Sequence, residues 1–167
     1  MLKLISIVFI GLLIAGCSTH NKKSIAHKPF QMVAEKDAVL VQEGKNKKYC
    51  SICGMDLVRF YKTSHISENY EEKYQYCSIH CLEDHLGHGV TVKNPMVVDV
   101  KSLKFIPVGK AHYVVGSKKR GTMSYVSKYA FLKLDDAKKF QVEFGGEIMD
   151  FTDAREKAQE DFKHYKH

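Results

Sequence analysis

The chain has no tryptophan and none of the patterns that mark common catalytic machinery. No glycine-rich loop is spaced to cradle a phosphate, no G-x-S-x-G elbow presents a nucleophile, and no carboxylate pair is recognisable. These absences argue against nucleotide-driven, hydrolytic and acid–base enzymes. An apolar run long enough to span a bilayer is also missing: the run from Leu4 to Leu13 is broken by Ser6 and Gly11 and is too short. Acidic residues are in the minority, 19 against 26 lysines and arginines. The basic surplus is spread along the chain, with blocks at Lys45-Asn46-Lys47-Lys48 and Lys118-Lys119-Arg120. It reads as a solvated face, or as one meeting an acidic partner or an anionic membrane.

The N-terminus says where the chain goes. Lys3 precedes the short apolar run, and the run ends in Ile14-Ala15-Gly16-Cys17. This is a signal segment whose end resembles the bacterial lipobox, where cleavage before the cysteine leaves that cysteine to carry lipid. Residues 1–16 are expected to be removed, with Cys17 as a lipid anchor standing apart from any metal site. Ser18 fits sorting to the outer membrane, where aspartate would argue for the inner. Residues 17–44 form the anchor and tether, since Asn21, Lys22, Lys23, Ser24, His27, Lys28 and Pro29 carry no apolar period. Export to the periplasm removes nucleic acid as a partner. The mature chain is long enough for one domain or two small ones.

The remaining thiols come in two close pairs, Cys50-Ser51-Ile52-Cys53 and Cys77-Ser78-Ile79-His80-Cys81. Soft ligands at such spacings can converge on one ion once the chain folds back. Outside the cytosol, thiol pairs ordinarily oxidise unless something occupies them. Disulfides within either pair would close very small loops and stabilise little. Four thiolates suit zinc in a closed tetrahedral site of the treble-clef or ribbon kind. Monovalent copper is softer, accepts two or three ligands and tolerates a thioether. For copper the chain offers Cys53 and Met55 across Gly54, with Cys50, Cys77 or Cys81 to complete the shell; Gly54 lets the backbone bend so both face one point. Met55 as a core residue is the plain alternative. His85, four residues after Cys81, is a supplementary candidate, although His80, His85 and His88 read first as exposed helix residues. Met123 reads first as core. A thioredoxin-type dithiol should open a helix, and Cys53 is succeeded instead by strand-like residues.

Along the chain, Val39-Leu40-Val41, Leu57 to Tyr61 and Tyr74 to Tyr76 are expected strands, with a turn at Ser67-Glu68-Asn69. Ser78 is expected to cap a short helix carrying Ile79, Leu82 and Leu86 and ending at Gly87 or Gly89. Its N-terminus should lower thiol pKa values and make Cys77 and Cys81 thiolates. The second half repeats the order without cysteines. Strands are expected at Val97 to Val100, Ala111 to Val115, Tyr125 to Leu132 and Glu147 to Phe151. A helix capped by Asp135 should bury Ala137, Phe140 and Phe144 and stop at Gly145-Gly146, and Thr152 should cap a last charged helix. The expectation is an α+β fold of two similar ββα lobes, residues 45–95 with the metal site and 96–167 with the helical tail.

Cys50-x-x-Cys53-Gly54-Met55, Tyr76-Cys77-Ser78, His112-Tyr113-Val114-Val115-Gly116-Ser117, Gly121-Thr122-Met123, Gly145-Gly146 and Phe151 stand in the order of the NosL family, after a lipobox. From about Tyr49 to about Asp153 the chain resembles that family. The resemblance implies a non-enzymatic, periplasm-facing lipoprotein that binds Cu(I) and supplies it to apo nitrous oxide reductase or a related cuproenzyme. It implies two ββα lobes shared with organomercurial lyases, and Cys53 and Met55 as primary ligands with Cys50 as a third. His80 and Cys81 lie outside the family pattern. A C-x3-C there could raise affinity, bind a second ion or complete a four-thiolate zinc centre. Ser124, where the family tends to have glycine, is a smaller departure. A structural-zinc interaction module, and a lyase or thiol oxidoreductase using Asp56 as proton donor, are the competing functions.

Overall fold

The computed structural model describes residues 28–70 and 72–164. The signal segment, Cys17, Ser18 and the first part of the tether lie outside the described residues. Two antiparallel sheets organise the rest. The first holds β1 (His65–Glu68), β2 (Lys73–Tyr76), β3 (Lys93–Val98) and β4 (Phe105–Pro107) in the order β2-β1-β3-β4. The second holds β5 (His112–Val115), β6 (Lys128–Phe131) and β7 (Glu147–Met149) in the order β6-β5-β7. Helix α1 (Ile79–Gly87) joins β2 to β3, and α2 (Leu134–Phe144) joins β6 to β7. Both halves therefore run strand, strand, helix, strand, with the first strand central and antiparallel to both neighbours. The α+β class expected from the sequence is observed; the first ββα unit gains β3 as a third strand, and β7 stands where a strand was expected after α2. A division after residue 95 cuts through β3.

Alternation along β5 explains how the halves pack. Tyr113 and Val115 point into a core shared with Ile79, Val97, Ile106 and Ala130. Val114 points the other way, to Tyr129, Phe131, Ala137 and Phe140 beneath α2. A central strand covered on both faces has no polar positions to give. The last helix, α3 (Phe151–His164), lies against α1 and β5. Ala154 and Ala158, both fully buried, supply the small side chains that let it approach.

Several local expectations are corrected by side chains acting as backbone partners. Leu57 to Tyr61 is a turn leading into a 3-10 turn at Tyr61–Thr63, and no strand. Asp56 Oδ1 accepts from the Val58 and Arg59 amides at 2.8 and 3.0 Å, which curls the chain. Val39 to Val41 forms no strand either. The Gln75 side chain bonds it on both sides, Oε1 accepting from Val41 N and Nε2 donating to Val39 O. Ser67 and Glu68 belong to β1, and the hairpin turn is Asn69 to Glu72. β3 begins at Lys93 and stops at Val98, and β6 begins only at Lys128. Ser78 sits at the N-cap of α1 but its hydroxyl makes no capping bond. Lys133, not Asp135, precedes α2, whose first turn carries Asp135 and Asp136 where the helix dipole favours them. Ala137 and Phe140 are buried as expected, Phe144 is half-buried beside them, and the helix ends at Gly145 as expected. Asp150 Oδ1 accepts from Asp153 N at the start of α3, so β7 ends at Met149 and Thr152 is not the cap.

Strand β1 escaped the sequence reading because two of its four residues are polar and buried. His65 lies between the Thr63 carbonyl (Nδ1, 3.0 Å) and the Tyr113 hydroxyl (Nε2, 3.1 Å). A carbonyl only accepts, so the neutral ring carries its proton on Nδ1 and accepts from the phenol. Burial, with a smaller push from His80, lowers its pKa from 6.5 to about 4 despite the Thr63 carbonyl. The unfolded chain binds a proton below pH 6.5 that the folded chain refuses until about 4. Stability is thus full above that window and falls on acidification through it, by about 3 kcal/mol from this group. Denaturant titrations at pH 7 and pH 4.5 check this. His65→Asn should lower stability at pH 7 and flatten the slope; an unchanged slope would place the acid sensitivity elsewhere.

Candidate metal centre

Residues 49–56 form a tight knuckle. Tyr49 bridges Asp56, Cys50 N donates to Met55 O at 2.9 Å, and Gly54 N donates back to Cys50 O at 3.0 Å. Gly54 has φ +73, a left-handed conformation that costs other residues about 1–2 kcal/mol. The knuckle is tied to β2 by Ser51 N donating to Gln75 O at 3.0 Å. Cys77, two residues on, consequently faces it. Cys81 stands in the first turn of α1. Thr63 Oγ1 donates to the Cys77 carbonyl at 2.8 Å and lies 2.8 Å from Thr122 Oγ1, so the second half of the chain braces this point.

The four Sγ atoms of Cys50, Cys53, Cys77 and Cys81 all lie within 4.8 Å of one another, and none is in a disulfide. Cys77 is central: its Sγ is 3.5 Å from Cys53 Sγ, 3.7 Å from Cys81 Sγ and 4.0 Å from Met55 Sδ. Leu57, Tyr76 and Leu82 bury the cluster, with Leu40, Ile52, Phe60 and Phe151 around them. Cys50, Cys77 and Cys81 are sealed inside, whereas Cys53 is exposed and Met55 half-buried.

The thiols share protons unequally. Hydrogen bonds from Cys77 and Cys81, and then the amides of Cys53 and Ile52, hold the Cys50 thiol far below its ordinary value despite burial. Cys53 is brought to about 7, chiefly by Cys77, against burial and with help from the Met55 amide. Cys77 is pushed up by its bonds to Cys50, Cys53 and Cys81 and then by burial, and Cys81 by its bond to Cys50. This reverses the expectation from the helix dipole. Cys77 and Cys81 keep their protons because adjacent buried thiolates outweigh a partial charge at the helix end.

The other candidates go elsewhere. His85 Nδ1 is 2.9 Å from the Tyr76 hydroxyl, and its ring packs edge-on against Tyr74. His80 is buried, not exposed, with Nε2 2.8 Å from Asp161 Oδ2. His88 is exposed, 3.6 Å from Asp84. Met123 is 46% exposed, so it fills no core position. Asp56, the proton donor a lyase would use, is engaged in the turn it caps. What the sequence did not disclose is a buried polar node. Asp161 Oδ2 takes His80 Nε2, Lys128 Nζ (2.8 Å) and Ser124 Oγ (2.6 Å), joining α3 to α1 and β6. Ser124 is therefore a partner within this node. No periodicity reveals such a node, because its members are scattered along the chain. Among the described residues no helix is long and apolar enough to cross a membrane.

Comparison with curated proteins returns no match. Among solved structures, the chain is similar to the copper chaperone NosL from Shewanella denitrificans. The two share 23% identity and a TM-score of 0.54 over 67% of this chain and 92% of that one, a likeness that shows the fold. The NosL profile matches residues 41–159, which include the knuckle, both sheets and most of α3. The chain belongs to the NosL family.

Proposed function

We propose that this chain is a non-enzymatic Cu(I) metallochaperone. It is anchored by lipid on Cys17 to a periplasm-facing membrane surface, the outer membrane by the Ser18 rule. It delivers copper to apo nitrous oxide reductase or a related periplasmic cuproenzyme. The observation that carries the copper reading is the convergence of four thiols and a thioether on one point in a NosL-family chain. Sulfur ligands of both kinds suit Cu(I), and a partly open sulfur shell lets a recipient's ligand attack. Holding copper would expel the protons kept by Cys77 and Cys81, so affinity should rise with pH.

One observation favours a structural-zinc site instead. The 3.5 and 3.7 Å sulfur separations are close to the ~3.8 Å edge of a tetrahedron built on Zn–S bonds of about 2.3 Å. An anaerobic competition titration of the reduced full-length chain in detergent, Cu(I) against a chromogenic chelator, decides between them, with zinc measured on the protein as purified. About one tightly held copper, tighter at pH 8 than at pH 6, is the expected result. A single zinc that excess Cu(I) does not displace, and whose removal unfolds the knuckle, would overturn the chaperone reading. Mass spectrometry of the N-terminal peptide checks the lipid on Cys17.

A further inference from the structure

We infer that copper in this chain rests in a buried three-thiolate site, Cys50, Cys77 and Cys81, and leaves through an exposed pair, Cys53 and Met55. The inference rests on the copper reading above and divides its ligands into holding and exit groups.

Burial makes the first division. Cys50, Cys77 and Cys81 are 4%, 0% and 2% exposed, while Cys53 is exposed and Met55 half-buried. The three inner sulfurs lie within 4.8 Å of one another, a separation that a trigonal ion can bridge with small side-chain movements. Charge makes the second. Cu(I) accepts two or three soft ligands. Three thiolates leave the centre with two negative charges, and a fourth would add another inside an apolar shell. The thiol most easily left out is the one already in water, Cys53. Rigidity separates Cys81 from Cys53, though Cys50 shares the knuckle with Cys53. Cys81 is on α1, which α3 clamps through Arg155 and Gln159 on Glu83 and through Asp161 on His80. Cys53 is on the knuckle loop.

Cys77 connects the two ligand groups. Its sulfur is a member of the inner trio and also lies 3.5 Å from Cys53 Sγ and 4.0 Å from Met55 Sδ. Copper can move outwards by ligand exchange while Cys77 stays bound. The Cys53 sulfur forms a bond to copper as the bond to Cys81 breaks, and any proton lost by Cys53 passes to the departing thiolate. Copper remains monovalent throughout. Cys81, outside the family pattern, becomes the residue that makes the resting site closed.

The experiment is performed on the full-length chain and its Cys81→Ser and Cys53→Ser variants, each loaded with one Cu(I). Copper X-ray absorption gives the sulfur count, equilibrium competition gives affinity, and stopped-flow transfer to a chelator gives exit rate. Three short Cu–S bonds are expected in the unaltered chain. Cys81→Ser should weaken affinity by at least ~10-fold, the lower end of what even an outer-shell contact is worth at a metal site. Cys53→Ser should keep affinity within about that factor and slow exit. Two-coordinate copper in the unaltered chain, or affinity lost in Cys53→Ser and kept in Cys81→Ser, overturns this division and leaves the chaperone reading standing. No tightly bound copper at all overturns both. A two-sulfur count on the unaltered chain overturns the division even where a variant fails to fold.

Discussion

Cys77→Ser is expected to abolish tight metal binding, with a loss on the order of 100-fold or more in Cu(I) affinity, beyond the range of outer-shell substitutions. No other sulfur is so placed: it is 3.5 Å from Cys53, 3.7 Å from Cys81 and 4.0 Å from Met55. It is the thiol that lies against both the exposed knuckle sulfurs and the α1 thiol Cys81. Serine offers a hard oxygen where a soft ion needs sulfur. The fold should lose less, about 1–3 kcal/mol for burying a hydroxyl among thiols. The paired measurements are a copper titration and a denaturant curve on the metal-free protein. Retained affinity with unchanged stability would mean the ion sits outside the cluster. A large stability loss in both forms would mean Cys77 is chiefly a packing residue.

The second large effect lies at Asp161. Lys128 has a side chain only 3% exposed, and its ammonium sits 2.8 Å from Asp161 Oδ2. Burial lowers its pKa, opposed chiefly by that carboxylate. Burial would raise the carboxyl of Asp161, yet hydrogen bonds from Lys128, Ser124 and His80 together hold it below its ordinary value. Asp161→Asn leaves the lysine buried without a counter-charge, and the expected cost is about 3–5 kcal/mol. Adding Lys128→Met should recover most of that loss, because removing both charges ends the desolvation penalty. A double variant as unstable as the single one would show that the His80 and Ser124 bonds matter more than the ion pair. Since α3 braces α1 through this node, Asp161→Asn should also loosen the Cys81 end of the metal centre. Acid should act in the same direction, stability falling as pH drops from the ordinary carboxyl value of 3.8 through the depressed Asp161 value.

The placement of the thiols was legible because cysteine spacing is a local property. C-x2-C with a subsequent Gly-Met specifies a knuckle by its own turn chemistry, and Cys77 and Cys81 stand at the strand-to-helix junction the pattern indicated. The apolar face of α2, the buried β5 and the strand-strand-helix order of the second half could be read from periodicity in the same way. Periodicity failed where a side chain replaced a backbone partner. Asp56 curls Leu57 to Tyr61 out of a strand whose composition favours one. Gln75 supplies one segment with the hydrogen bonds that a neighbouring strand would give. β1 is polar in sequence yet buried, since His65 and Ser67 find partners on Tyr113 and Tyr76, 48 and 9 residues away.

Sequence alone determined which atoms are available: four thiols, a thioether beside one of them, a glycine that permits the bend, and the order of elements that makes the chain a NosL protein. Tertiary structure decided their roles. Hydrogen bonding among the packed thiols, which spacing does not show, lowers the Cys50 and Cys53 thiols against the opposing effect of burial. The same packing sealed three sulfurs and left Cys53 in solvent. Which atoms a chain carries is a property of composition and local turns, but which of them meets water is set by what the rest of the chain lays over them.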